Sequence, residues 1–229
     1  MTHQIAIISR SYSSWSMRIG LLVERFELPV TFLVLPYGGN RLRKSLEDFA
    51  PATTVPVMKT DEGVIVTESL AIAEELASRF PDRGLWPSDP AVRGVLRGLS
   101  AEMHAGFIAL RSACPMNLRR IYTTFEPSAA VLDDLQRIEK IWETTREQLH
   151  PFGVKGPWLG GAYSIADAFF APVAARIAGY RLPVGPSART YVDAHLGDSH
   201  FRRWQLAGLS DGPDIAASSL DLPYETWTA

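Results

Sequence analysis

The sequence predicts an α/β domain followed by an all-α helical bundle, and three observations carry that prediction. Over about the first eighty residues, strand-like and helix-like runs alternate in the order β-α-β-α-β-β-α, enough for a small sheet covered by helices. The stretch Pro81-Asp82-Arg83-Gly84-Leu85-Trp86-Pro87-Ser88-Asp89-Pro90 is rich in breakers and reads as a linker. Beyond it the apolar spacing changes to the period of long helices. The expected division is residues 1–82, a linker at 83–90 and a helical domain at 91–229.

Ile5–Ile8 is an apolar run of strand length, and Trp15, Ile19, Leu22 and Phe26 form a helical stripe over residues 15–26. Thr31-Phe32-Leu33-Val34-Leu35 is β-branched and aromatic, so it predicts a second strand, broken by Gly38-Gly39. A weak helix is expected over Leu42–Phe49, ending before Pro51. Val55–Met58 and Val64–Val66 flank Thr60-Asp61-Glu62-Gly63, which predicts a hairpin. Leu70, Ala73, Leu76 and Phe80 then mark a helix over Ser69–Phe80.

In the second half, Val92, Leu96, Leu99, Met103, Phe107, Leu110 and Cys114 predict one long helix, bent or ended by Pro115. Val131, Leu135, Ile138, Trp142, Thr145 and Leu149 predict another. Ser164-Ile165-Ala166-Asp167 is a capping-box variant. The helix it opens is apolar nearly all round through Ile177, and such a helix belongs at the centre of a bundle. Shorter helices are expected at Ala188–Leu196 and His200–Leu209, and the Ser-, Asp- and Pro-rich tail from Ser210 is expected to be loosely held.

Composition sets the class. Hydrophobic residues make up 46% of the 229, and charged residues 21%, which is ordinary for a globular protein with a sizeable core. A net charge of −2 gives no global field for nucleic acid or an anionic membrane. The pairs Arg119-Arg120 and Arg202-Arg203 read as solvated helix ends. No apolar stretch is long enough to span a bilayer, and the start of the chain lacks a signal-peptide layout. A cytoplasmic location is therefore expected. The lone Cys114 excludes an internal disulfide and, on an apolar stripe, reads as a core thiol. The five histidines show no metal-ligand spacing, so no metal is expected, and there is no Gly-rich phosphate loop.

Chemistry concentrates at Tyr12-Ser13-Ser14-Trp15-Ser16-Met17-Arg18, where hydroxyls sit between a strand and a helix start. The first N–H groups of a helix have no internal partner and carry partial positive charge, so an anion is stabilised there. A thiolate is one such anion, and a serine hydroxyl adds one more donor. The arrangement suits activation of a thiol that the protein does not itself supply.

Three local matches connect the chain to a family. Ser13-Ser14-Trp15-Ser16-Met17-Arg18 resembles the S-S-C-S-W-R motif of the zeta-class glutathione transferases, the maleylacetoacetate isomerases. Thr53-Thr54-Val55-Pro56 followed by Thr67-Glu68-Ser69-Leu70-Ala71-Ile72 resembles the family's glutathione site, and Tyr163-Ser164-Ile165-Ala166-Asp167-Ala168 its C-terminal helix start. Nearly the whole chain thus resembles the cytosolic glutathione transferases, and the Y-S-S-W-S-x-R form is similar to a common bacterial subgroup. The resemblance implies a thioredoxin-like N-terminal domain, an all-helical C-terminal domain and a homodimer. It implies that Ser13 activates the glutathione thiol and that Pro56 is cis. It further implies that Thr54, Val55 and Pro56 belong to the glutathione site, with the Val55 backbone pairing with the cysteinyl part, and that Glu68 and Ser69 hold the γ-glutamyl end. Trp15 replaces the family's cysteine and Met17 its tryptophan, which weakens the case for isomerase chemistry and leaves thiol activation intact.

A free thiol titrates near ~8.5, and a hydrogen bond to a charged group contributes on the order of 1.5–3 kcal/mol. Together with the helix N-terminus this is enough to lower a bound thiol by about one to two pKa units. Ser13 and Ser14 are adjacent, a shift of register would bring in Ser11, and a plain helix cap is the simpler role for any of them. Tyr12, Trp15, Met103, His104, Phe107 and Arg111 are the candidates for the second-substrate pocket, although Met103 and Phe107 share a stripe with Leu99 and Leu110 that also fits core packing. The expected function is transfer of glutathione to a small hydrophobic electrophile. The alternatives are glutathione-dependent disulfide or peroxide reduction, isomerisation of a maleyl-type diacid, and a non-catalytic binding module on the same fold.

Overall fold

The structure is a computed structural model that describes residues 2–228. Strand β1 (His3–Ile7) pairs in parallel with β2 (Val30–Val34), Ile5 standing opposite Phe32. A parallel pair needs a crossover, and α1 (Ser14–Arg25) provides it. On its other side β1 pairs antiparallel with β3 (Val57–Lys59), which pairs antiparallel with β4 (Ile65–Thr67), giving the order β2-β1-β3-β4. The hairpin between β3 and β4 closes as expected, with Gly63 at φ +87° where a side chain would be strained.

Alternation along β1 divides the core. Ile5 and Ile7 point to the large hydrophobic cluster shared with α1, α3 (Ser69–Arg79) and the helical half. Ala6 points the other way, to a small cluster with Val57, Leu46 and Phe49 below α2 (Gly39–Ser45). The helix expected over residues 42–49 is instead α2, begun at Gly38 with φ +78°, and a separate 3₁₀ turn over Glu47–Phe49.

The helical half holds α4 (Pro90–Ala105), α5 (Ile108–Ala113), α6 (Ala129–Leu149), α7 (Ile165–Gly179), α8 (Pro186–Gly197) and α9 (Ser199–Leu209). Every residue of α7 except Ala178 is buried, and α7 packs against α1, α4 and α8, the central place its apolar pattern predicts. Its capping box is made: Asp167 accepts from the Ser164 N–H (2.9 Å), and also from the Leu159 N–H (3.1 Å) and the Tyr191 hydroxyl (2.8 Å). Helices α1 and α9 meet at Gly20, where an added Cβ would stand 1.9 Å from the Trp204 ring.

Three further expectations are corrected. The single helix over 92–114 breaks at Gly106–Phe107, with Phe107 left-handed at φ 58°; the apolar period runs on unbroken because Met103, Phe107 and Leu110 all enter one core. The tail is held: β6 (Tyr224–Thr226) pairs antiparallel with β5 (Arg120–Tyr122), and Trp227 is buried. Arg119 and Arg120 lie on no helix end; both are mostly buried and both pair with Asp214 of the tail. Among the described residues no helix is long and apolar enough to cross a membrane.

Candidate functional site

The chain leaves β1 and makes one turn before α1. The Tyr12 and Ser13 N–H groups both donate to the Ser9 carbonyl (3.2 and 3.0 Å), and Ser13 then caps α1. The Ser13 Oγ accepts from the Ser16 N–H (3.1 Å) and donates to the Ser16 Oγ (2.8 Å). The Ser16 Oγ, fully buried, also accepts from the Ile8 N–H (3.3 Å). Ser16 sits three residues after the cap, the position at which a capping partner is expected, and sequence reasoning passed over it.

Ser13 forms one wall of a cleft of about 380 Å³, lined also by Ile8, Trp15, Leu42, Thr53, Thr54, Val55, Pro56, Glu68 and Ser69. The Val55–Pro56 bond is cis. Glu68 caps α3 with a left-handed backbone, φ 71°, and keeps an exposed carboxylate. Ser69 opens α3, and its buried Oγ has no partner among the described residues. Two helix N-termini, those of α1 and α3, therefore border one cleft. Both favour negative charge. The His104 Nε2 lies 3.6 Å from a Glu68 oxygen, and its ring meets Trp15 edge-on at 5.3 Å. Burial and then the Arg18 charge hold the His104 imidazole below its ordinary range, against the pull of Glu68.

Trp15 also borders a second cavity, of about 360 Å³, with Ser14, Ala105, Ile108, Arg111, Ser112 and Arg176. Arg111 and Arg18 both stack on the Trp15 ring, at 4.6 and 4.4 Å, and Arg18 lies 4.7 Å from the Phe169 ring as well. Arg18 is 1% exposed, and its Nε and Nη1 have no partner among the described residues. Burial, then the Arg111 and Arg176 charges, pull its guanidinium down to about 9. Burial pulls Arg176 down to about 10. No acidic side chain is among the residues lining this cavity. The signal for Arg176 was a lone cation in the last turn of a helix that is apolar from Ala168 to Val173 and beyond.

The remaining candidates lie elsewhere. Tyr12 is buried and donates from its hydroxyl to Asp214 (2.9 Å). Met103 and Phe107 are core residues and line neither cavity. Ser11 faces the helical half, its hydroxyl accepting from Arg119 (3.2 Å). Burial pushes the Cys114 thiol up to about 12, which leaves it inert as a nucleophile near neutral pH. His3, Asp61 and Glu62 bring ligand atoms within 4.8 Å of one another, but Arg79 pairs with both acids and already supplies the positive charge there.

The order β2-β1-β3-β4, the cis Val55–Pro56 bond and the cleft between two helix N-termini are matched by the sequence itself: residues 12–79 fit the family model described as glutathione S-transferase, N-terminal domain. Those residues carry a glutathione S-transferase N-terminal domain. The maleylacetoacetate isomerase of Pseudomonas aeruginosa is 28% identical to this chain over 215 residues, 89% of this chain and 96% of the relative. That of Rattus norvegicus is 25% identical over 181 residues, 77% of this chain and 79% of the relative. Among solved structures, a glutathione transferase homologue from Burkholderia with bound glutathione superposes with a TM-score of 0.65 at 17% identity, covering 91% of this chain and 98% of that one. Glutathione transferase Omega 2S from Trametes versicolor gives 0.67 at 18%, covering 96% and 100%. At those identities the two structures speak for the fold alone.

Proposed function

We propose that the chain is a glutathione transferase that binds glutathione in the cleft below Ser13 and holds its sulfur as the thiolate for attack on a small electrophile. The observation that carries this reading is the convergence of Ser13, Val55, Pro56, Glu68 and Ser69 on one cleft between two helix N-termini. The γ-glutamyl carboxylate suits the partnerless Ser69 Oγ and the first N–H groups of α3. The γ-glutamyl ammonium suits the exposed Glu68 carboxylate. The thiol then meets Ser13 at the start of α1.

Without a ligand the Ser13 hydroxyl donates to Ser16. On binding, it turns to the sulfur, and the Ser16 hydroxyl turns to donate to the Ser13 Oγ. Ser13 then accepts two hydrogen bonds, from the Ser16 N–H and Oγ, while giving one to the thiolate. The thiol proton leaves to solvent. The thiolate forms a C–S bond with the electrophile, whose bonding electrons depart with the leaving group or move into an adjacent acceptor. Catalysis beyond this is positioning. A homodimer and the division of the chain at residues 83–90 belong to the same reading, and sedimentation of the purified chain tests the dimer.

Ser13→Ala tests the proposal through the ultraviolet absorbance of the bound thiolate, titrated against pH. The bound thiol pKa should rise by about one to two units, with most of the glutathione affinity kept. Ser14→Ala should leave it in place. A wild-type complex with an unshifted thiol defeats the thiolate reading and leaves a binding module.

One observation favours a second reading for the acceptor. Arg111 and Arg176 line the cavity beside Trp15 with no acid among its lining residues, and the buried Arg18 stacks on the same ring, which suits an electrophile carrying a carboxylate better than a purely apolar one. Isomerisation of a maleyl-type diacid, the activity for which the Pseudomonas and rat relatives are named, fits that charge. Turnover of such a diacid with glutathione unconsumed, lost in Arg111→Ala, is its test.

A further inference from the structure

The turn Ser9–Ser13 is held from behind by the C-terminal half of the chain. Its internal bonds, from the Tyr12 and Ser13 N–H groups to the Ser9 carbonyl, leave the backbone at Arg10 and Ser11 free to bond elsewhere. Three of these groups find a partner far away in sequence. The Arg10 N–H donates to Asp211 Oδ2 (2.7 Å), the Arg10 carbonyl accepts from Trp204 Nε1 (3.2 Å), and the Ser11 carbonyl accepts from the Leu118 N–H (3.0 Å). Asp211 also takes the Arg10 guanidinium on its other oxygen (2.6 Å), so one carboxylate holds both the backbone and the side chain of the same residue. Its side chain is 8% exposed. The next residues of the tail continue the seam. Asp214 accepts from the Tyr12 hydroxyl (2.9 Å) and is fixed by Arg119 (3.0 Å) and Arg120 (2.6 Å).

We propose that Asp211 is a positioning residue for Ser13: its carboxylate anchors Arg10, and through the turn fixes where the serine hydroxyl points in the cleft. The inference rests on the assignment of Ser13 as partner of the glutathione sulfur. Asp211 itself is not among the residues lining the cleft and touches no ligand there. A turn of five residues closed by its own two bonds can tilt as a unit. A donor displaced by a fraction of an ångström loses much of its bond to a thiolate while the rest of the tripeptide site stays as it was. Asp211 acts on orientation, and its loss should therefore separate thiol ionisation from glutathione affinity.

The test uses the full-length protein loaded with glutathione. Bound-thiolate absorbance is titrated for the wild type, Asp211→Ala and Asp211→Asn, beside the glutathione Kd and Tm of each. Asp211→Ala should raise the bound thiol pKa by about half a unit to one unit, a three- to tenfold loss of thiolate at a fixed pH below the pKa. The Kd should change less than about threefold. Asp211→Asn keeps an acceptor for the Arg10 N–H and loses the guanidinium pair, so it should fall between the two and serves if the alanine variant does not fold. A wild-type complex with an ordinary thiol pKa overturns the assignment of Ser13, and this inference with it. A depressed wild-type value that survives both substitutions overturns the role of Asp211 alone. Equal loss of affinity and ionisation overturns it too, because that is the mark of a generally loosened site.

Discussion

Replacing His195 with phenylalanine should flatten the acid side of the stability profile. His195 lies on α8, 1% exposed, with the rings of Tyr191, Trp158 and Tyr163 at 4.7, 5.0 and 6.4 Å and its Nε2 buried without a partner among the described residues. Burial pushes its imidazole down to about 3, outweighing the opposite pull of Asp198. In the unfolded chain the same group titrates near ~6.5. The unfolded state therefore takes up a proton as pH falls through ~6.5, and the folded state does so only near 3. Stability is fully present above ~6.5 and is lost progressively as pH falls toward 3. At pH 5, roughly 1.5 units below the unfolded value, the loss from this one residue is about 2 kcal/mol relative to pH 7. Phenylalanine has no such term. Thermal unfolding of both proteins at pH 7, 6 and 5 checks the difference, because the linkage of every other group is common to the two and cancels. The gap in Tm should shift by about 4–8 °C in favour of the variant between pH 7 and pH 5, for a chain of this size. Parallel pH profiles would refute the reasoning, since they require an imidazole that charges inside the folded protein.

Gly20→Ala places a methyl carbon against the Trp204 ring, and Trp204 cannot yield without releasing the Arg10 carbonyl; we expect a cost of about 2–4 kcal/mol in urea unfolding, and a loss below about 1 would contradict the close approach. Asp167→Ala leaves the Leu159 and Ser164 N–H groups and the Ser164 and Tyr191 hydroxyls without their acceptor in the core, a loss on the order of 3–5 kcal/mol by the same assay. Cys114 should resist a charged disulfide reagent at pH 8 in the native protein and react fully once denatured, and rapid native labelling would show that the thiol is neither buried nor neutral.

The parts of the fold legible in the sequence are those whose cause is local. Ile5 and Ile7 against Ala6 show a strand with two different faces, and the unrelieved apolar run after Asp167 shows a central helix. The break at Phe107 was hidden because Met103, Phe107 and Leu110 keep helical spacing across it. The pairing of β5 with β6 was hidden for another reason: it joins segments about a hundred residues apart, and each strand is only three residues long, too short to show alternation. At the candidate site, the residue types were readable and their directions were not. Ser13 and Ser14 are neighbours in the chain, yet one faces the cleft and the other the arginine-lined cavity, because successive residues entering a helix point about 100° apart. Arg119 looked like surface charge, and the tail aspartate that balances it was out of range of any local pattern.

The interruption between α4 and α5 decides where a positive charge resides. In an unbroken helix the His104 and Gly106 carbonyls would be consumed by N–H groups one turn on. Here the Leu110 N–H goes to Asp134 instead (2.9 Å), and the Arg111 guanidinium takes both spare carbonyls (3.4 and 3.2 Å), which moors it beside Trp15. Any change that healed the interruption would cast that guanidinium adrift with every arginine still in place. The electrostatics of the cavity beside Trp15 can thus evolve through backbone geometry at Gly106 and Phe107, without exchange of a single ionisable side chain.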